Sequence, residues 1–166
     1  MSKFLKIGTP FLAIIILSFM QASGKGVSIT RQEIGALEKS GHLVPVEDGW
    51  RTKGGLIIKG RDPRGITRLE HIMRHASDIP KRKKHGVFTI SKEKIIELMD
   101  EMWQKIQAGE LHGKERGGRV AYTYHAKREL GYLGGKEGRQ KGHPKIESAR
   151  IVVSKSTHEV ITFFPY

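Results

Sequence analysis

The chain has 166 residues, with 30 lysines and arginines against 17 acidic side chains, no cysteine and a formal charge of +13. That length fits one domain, and the lack of cysteine excludes a disulfide-stapled scaffold. The positive excess favours polyanionic partners (nucleic acid, an anionic membrane surface or an acidic protein) and bears on partner class rather than on fold.

Residues 1–24 read as a secretory signal. Lys3 and Lys6 form a basic start, Phe11 to Met20 is an apolar run too short to span a bilayer comfortably, and Ala22-Ser23-Gly24 offers small residues for a signal peptidase. An uncleaved anchor is the alternative. No cysteine follows the run, which excludes lipoprotein processing. Removing Lys3 and Lys6 from the 30 leaves 28 basic against 17 acidic side chains, an excess of 11. The expected location is secreted or periplasmic, with no stable membrane association after signal cleavage.

After the signal, residues 25–53 read as an N-terminal helix and linker, and residues 54–166 as the main domain. Thr30 and Glu33 form a capping box ahead of Ile34 and Leu37, and Gly41 closes that helix. Leu56-Ile57-Ile58, set between glycines, predicts a short strand or extended linker. Asp62-Pro63 reads as a helix start, with Ile66, Leu69, Ile72, Met73 and Ala76 on one face of a helix over 62–77. A solvated basic run, Lys81 to Lys84, then leads into a strand over His85 to Ile90. Ser91 caps the longest predicted helix, 92–107, with Ile95, Leu98, Met99, Met102, Trp103 and Ile106 on its apolar face, and Gly109 ends it.

Beyond Gly109 the period changes from helical to alternating. Val120–Tyr124, a short piece at Tyr132-Leu133, Ala149–Val153 and Val160–Phe164 predict strands, with Tyr122 and Tyr124 on one face and Val160, Thr162 and Phe164 on another. The expected fold is therefore α+β, with N-terminal helices packed on a C-terminal antiparallel sheet of about four strands.

On a helix over 62–77, Arg64, Arg68, His71 and His75 would fall within a stripe of about 60° opposite the apolar face. Paired histidines there suit metal binding, acid–base chemistry or phosphate contact. The spacing His71-x-x-x-His75 resembles an inverted zinc-hydrolase motif, but Arg74 stands where the catalytic glutamate would be, so no metal or other cofactor is expected. The plain alternative is the wet face of an amphipathic helix. His85 follows the basic run, and neighbouring cations would lower its pKa and free it as a base.

Histidine, arginine, lysine and hydroxyl groups are the inventory that attack by a 2′-hydroxyl on phosphate requires. The segment Gly134 to Gly142 reads as a flexible basic loop that either closes on phosphate through Lys136, Arg139 and Lys141 or simply joins two strands. It lacks the spacing of a P-loop. Thr162, a hydroxyl among aromatic and branched neighbours, is either a satisfied core threonine or a site group.

Arg68-Leu-Glu-His71-Ile-Met-Arg-His75, Asp78-Ile-Pro80, His85-Gly-Val-Phe88 and the closing Arg150-Ile-Val-Val with Val-Ile-Thr162-Phe-Phe-Pro165 together resemble the nuclease cores of bacterial polymorphic toxins. Those cores belong to the barnase–EndoU–colicin–RelE superfamily of metal-independent ribonucleases, and the resemblance covers residues 54–166. It implies RNA as substrate and an acid–base site on the exposed sheet face and its bordering helix. His71, His75 and His85 are then the acid–base candidates, Arg74 and Arg119 the phosphate contacts, and Thr162 a site residue on the last strand. Arg68 and Lys136 add phosphate-binding candidates.

Two functions follow as expectations. One is an exported, toxin-type ribonuclease whose partners are RNA or another polyanion, together with an acidic immunity or inhibitor protein. The other is a non-catalytic periplasmic or secreted protein that binds an anionic polymer or a protein partner through its basic surface.

Overall fold

The computed structural model describes residues 28–166, and the signal expected over 1–24 lies outside the described residues. Among the described residues, four α-helices and three antiparallel sheets, two of three strands and one of four, make an α+β fold. Helix α1, Arg31–Lys39, begins at the expected capping box: the Thr30 hydroxyl accepts from Glu33 N, and the Glu33 carboxylate accepts from Thr30 N at 2.7 Å. Strands β1, Leu43–Val46, and β2, Gly49–Thr52, pair around Glu47-Asp48, and β3, Ile57–Lys59, completes their sheet. This sheet crosses the expected linker boundary at residues 53 and 54. Leu37, Leu43 and Ile58 join the same apolar cluster as the rest of the molecule.

The next helix is shorter than its apolar spacing predicts. Helix α2 spans Arg68–Met73 and is capped by Thr67, with Glu70 closing a second capping box; Arg74–Ala76 continue as one 3-10 turn. Residues 62–66 form a tight loop instead, with Asp62 N donating to Ile66 O and Gly65 N to Asp62 O. Gly65 sits at φ +80, a conformation that suits glycine and breaks a helix. The helix therefore starts after Thr67 and not at the expected Asp62-Pro63.

Strand β4, His85–Phe88, is followed by helix α3, Lys92–Gln107, capped by Ser91 as expected. Strands β5, Lys114–Arg116, and β6, Arg119–His125, form a hairpin. After β7, Gly131–Gly134, the segment expected to be a loop winds into helix α4, Gly135–Gln140. Its glycines give it little intrinsic propensity, and tertiary caps supply the stabilisation. Gly135 N donates to the Asp78 carboxylate at 2.8 Å, while Lys136 N and Glu137 N donate to the carbonyls of Arg82 and Lys83. The 81–84 run is thus partly a helix cap rather than only a solvated charge cluster. Strand β8, Lys145–Ile146, then precedes β9, Ser148–Ser154, and β10, Val160–Pro165.

The four-stranded sheet has the order β10-β9-β6-β5. One face is apolar: Ala149, Ile151, Val153, Val160 and Phe163 share a cluster with Ile95, Leu98, Met99 and Met102 of α3. Each such large side chain contributes roughly 1.5–3 kcal/mol on burial. Tyr122 and Tyr124 also face this side, where the Tyr124 hydroxyl donates to Glu101 at 2.6 Å. The opposite face carries Thr162, Phe164, Arg150, Val152, Arg119 and Lys114, all partly or fully exposed.

Strand β10 is not evenly alternating. A bulge between Val160 and Thr162 inserts Ile161 as an extra residue. Val160 consequently faces the core, whereas Thr162 and Phe164 face outward, which corrects the expectation that all three share one face. Helix α2 and strand β4 lie against the outer edge of β10. The approach is close: a Cβ on Gly86 would sit 2.2 Å from the Pro165 carbonyl oxygen.

Candidate active site

The 61–67 loop, helix α2 and strand β10 bring together Asp62, Arg64, Arg68, His71 and Thr162. His71 lies at the end of the first turn of α2 and faces β10. It donates from Nδ1 to Asp62 Oδ2 at 3.0 Å, and its Nε2 lies 3.2 Å from Thr162 Oγ1. Asp62 accepts only, so the ring carries its proton on Nδ1 when neutral, and the Thr162 hydroxyl donates to Nε2. Asp62 is 5% exposed. Its Oδ1 accepts from Arg64 N at 2.8 Å, and its Oδ2 accepts from Arg64 Nε and Nη2 at 3.0 and 2.9 Å.

The electrostatics match this geometry. Burial is the largest influence on Asp62 and pushes its pKa up, but the hydrogen bonds from His71 and Arg64 together outweigh it and hold the carboxyl far below its usual range. For His71, burial dominates and lowers the pKa; Asp62 opposes it, and the charges of Arg68 and Arg64 add to the lowering. His71 is thus a neutral base with a fixed tautomer, about one-fifth exposed, with an anion behind it and cations beside it.

Arg68 completes the cationic side. It donates from Nη1 to Ile161 O at 2.8 Å and from Nη2 to Arg61 O at 3.1 Å, and it has no carboxylate partner among the described residues. The bulge in β10 therefore does two things: it turns Thr162 outward and presents the Ile161 carbonyl to Arg68.

The other expected site residues are placed differently. His75 and His85 stack with ring centroids 4.6 Å apart, but they are 9% and 2% exposed, so the proximity lies inside the fold rather than in an open cleft. His85 donates from Nε2 to Ser77 O at 3.1 Å and to Arg74 O at 3.3 Å, and Arg82 Nη1 lies 3.4 Å from its Nδ1. Both of its ring nitrogens are occupied. His75 donates from Nδ1 to Gly86 O at 2.8 Å and stacks on Phe164. Burial, the main cause, pulls His75 down to about 4, and burial also lowers His85. The expected helical stripe of Arg64, Arg68, His71 and His75 therefore does not exist as a single wet face. Arg64 lies in the preceding loop, and the 3-10 turn after α2 sends His75 inward.

Arg74 ends α2, where its carbonyl serves His85. Lys136 is on α4, beside the sheet β4-β7-β8, and Arg119 begins β6 on the open face of the four-stranded sheet. In the sequence Asp62, followed by Pro63, carries the pattern of a helix cap rather than of a site residue. The signal that could have found it is Gly65 just before Thr67-x-x-Glu70, which marks 62–66 as a loop folding back on α2. Arg150 and Tyr166 carry no individual site signal in the sequence. Arg150 donates to Thr123 Oγ1 at 3.0 Å and lies over the Tyr166 ring, 3.2 Å from its centroid, while Tyr166 remains 56% exposed.

Among the described residues no group of three His, Asp or Glu side chains is placed to hold a metal ion, and no helix is long and apolar enough to cross a membrane. The arrangement Asp62–His71–Thr162, flanked by Arg64 and Arg68, can accept a proton on an oriented imidazole and hold negative charge next to it. No protein-family model, no curated protein and no solved structure matches the chain.

Proposed function

We propose that this chain is a metal-independent endoribonuclease of the toxin type, with His71 as its general base. The observation that carries the reading is the Asp62–His71–Thr162 alignment beside Arg68, a cation held only by carbonyl oxygens. The Thr162 hydroxyl passes its proton to His71 Nε2 as its own oxygen takes the proton of a ribose 2′-hydroxyl, and Asp62 stabilises the imidazolium that forms. The 2′-oxygen attacks the adjacent phosphorus, and the bond from phosphorus to the 5′-oxygen breaks. The products are a 2′,3′-cyclic phosphate and a 5′-hydroxyl. The leaving oxygen draws its proton from the His71 imidazolium or from water.

Arg64 and Arg68 stabilise the charge on the phosphorane, and Thr162 holds the imidazole in place and orients the substrate. His75 and His85 support the site from inside: their stack joins the end of α2 to β4, and His75 continues the stack onto Phe164. Arg74, Arg119 and Lys136 remain as longer-range contacts to the phosphate backbone. Helices α1 to α3 precede the strands of the four-stranded antiparallel sheet, although α4 interrupts them, and α2 lies at its β10 edge; this partial match supports kinship with the barnase–EndoU–colicin–RelE nucleases. We read residues 1–24 as the export signal and expect an acidic inhibitor protein as a second partner.

The deciding experiment is an RNA digest in EDTA with wild-type protein and His71→Ala. Cleavage to 2′,3′-cyclic ends that His71→Ala abolishes supports the reading. Cleavage unchanged in His71→Ala overturns it, and salt-sensitive RNA binding without any turnover assigns the chain to the non-catalytic binders instead.

A further inference from the structure

The open face of the four-stranded sheet continues well beyond Thr162. Thr162 pairs with Val152, Val152 with Ala121 and Ala121 with Lys114; one step along the strands, Ser154, Arg119 and Arg116 are aligned. Between these two rows lies a groove of about 390 Å³, floored by Ala121 and Val152 and walled by Lys114, Arg116 and Arg119. None of these three cations is in an ion pair among the described residues, unlike Lys105, Lys145 and Lys155 on neighbouring surfaces. Arg150, on the same face, also lacks a carboxylate partner among the described residues. No acidic residue from β6, β9 or β10 points to this face. Unpaired cations over a small-residue floor leave both charge and room for an anionic chain.

Adjacent strands stand about 4.8 Å apart, so Lys114 lies three strand steps, about 14 Å, from Thr162. One phosphate cannot occupy both places, whereas a polymer can. The geometry points to this groove as a second phosphate-binding subsite, occupied by the backbone of a single-stranded polynucleotide that crosses the sheet from Thr162 toward β5. The inference rests on the nuclease reading for the position of the reacting phosphate. It adds a substrate class to that reading: a strand of several nucleotides rather than a mono- or dinucleotide. A single strand is favoured over an acidic protein by the continuity of the groove with the Thr162 row. It is also favoured by Tyr166, which packs on Arg150 and edge-on against Phe164 yet remains 56% exposed, as a base-stacking surface is.

The test titrates the purified full chain with a fluorescein-labelled 2′-deoxyuridine dodecamer, which has no 2′-hydroxyl to react, and separately with uridine 3′-monophosphate. The variant is K114Q/R116Q/R119Q; if it does not fold, the three single glutamine variants replace it. The expected result is at least a tenfold loss of dodecamer affinity with unchanged mononucleotide affinity. The slope of log affinity against log salt should fall by about 2 in the triple variant and by about 0.7 in each single one.

Unchanged dodecamer affinity and slope overturn the proposal, as does an equal loss for the mononucleotide. Polyglutamate competing as well as the dodecamer overturns it in favour of an acidic protein. Dodecamer binding that depends on the groove, in a protein that cleaves no RNA, leaves the subsite standing and removes the nuclease. Cleavage of a dinucleotide with the same kcat/KM as a long RNA does the reverse.

Discussion

Asp62 holds His71 through a 3.0 Å hydrogen bond from Nδ1, across nine residues and from a loop rather than from the helix that carries the histidine. The same carboxylate oxygen takes two hydrogen bonds from Arg64. One buried anion therefore fixes the tautomer of the base and the position of a neighbouring cation. A disturbance at Asp62 should reach both.

For Asp62→Asn, the expected change is in the pH profile as well as the rate. His71 is already depressed below 6.5, so its base form prevails at neutral pH, and the proposed cleavage should decline as acid protonates it. Asp62 raises the His71 pKa, and its loss lowers that pKa further. The acid limb of kcat/KM should move to lower pH while the plateau drops at least about tenfold. An acid limb that stays in place would separate Asp62 from the chemistry.

Substitutions at Thr162 separate its hydroxyl from its bulk. Thr162→Val keeps the shape and loses the bond to His71, and kcat should fall about 10- to 100-fold, as for loss of one hydrogen bond to a group that becomes charged. Thr162→Ser should retain most activity. Equal activity in the two variants, measured by steady-state cleavage of a fluorogenic oligoribonucleotide, would make Thr162 a packing residue.

Acid should weaken the fold through His75. Below about pH 6.5 the unfolded chain protonates this ring and the folded chain does not, until about pH 4 where the folded ring titrates as well. Stability is therefore fully present above pH 6.5 and declines as pH falls through that window, by on the order of 3 kcal/mol in all from this group. His71 and His85 are shifted the same way and steepen the decline. Urea unfolding between pH 7 and 4 should show this, with a shallower dependence in His75→Asn; a profile that is flat in the wild type would contradict it.

Gly86→Ala should loosen the seam between β4 and β10. The added carbon meets the Pro165 carbonyl at 2.2 Å, beside the carbonyl that receives the His75 proton. A cost of about 1–3 kcal/mol is expected, seen as a Tm lower by several degrees. A Tm equal to that of the wild type would mean that the two strands part without cost.

Much of the fold was legible because its signals are local. Thr30 with Glu33 and Ser91 before an apolar stripe each announce a helix within one turn. Strand β9 shows the two-residue period in its own side chains throughout, and β10 shows it beyond its bulge. What escaped depends on distant partners. Helix α4 is glycine-rich and is stabilised by Asp78 and the carbonyls of Arg82 and Lys83, more than fifty residues earlier. The β1–β2 hairpin turns on Glu47-Asp48, a pair without the Asn-Gly or Asp-Gly signature, with Asp48 at φ +58.

The same distinction runs through the site. His71 and Thr162 could be picked by residue type, but 91 residues separate them, and only the packing of α2 on β10 joins them. The burial of His75 and His85 was hidden because a 3-10 turn, rather than continued α-helix, follows Met73. Charge clustering said where cations gather along the chain. It could not say that Lys114, Arg116 and Arg119 would be arranged along one groove.

The extra residue in β10 has an implication for how this scaffold can change over generations. Excising Ile161 would leave Val160, Thr162, Phe163 and Phe164 alternating as an unbroken strand, each still on the face it now occupies. The carbonyl that holds Arg68 would go with it. A lineage could thus shed this one residue, keep a foldable sheet and its histidine–threonine pair, and release an arginine. In this strand, architecture and the proposed phosphate handling are separable inheritances.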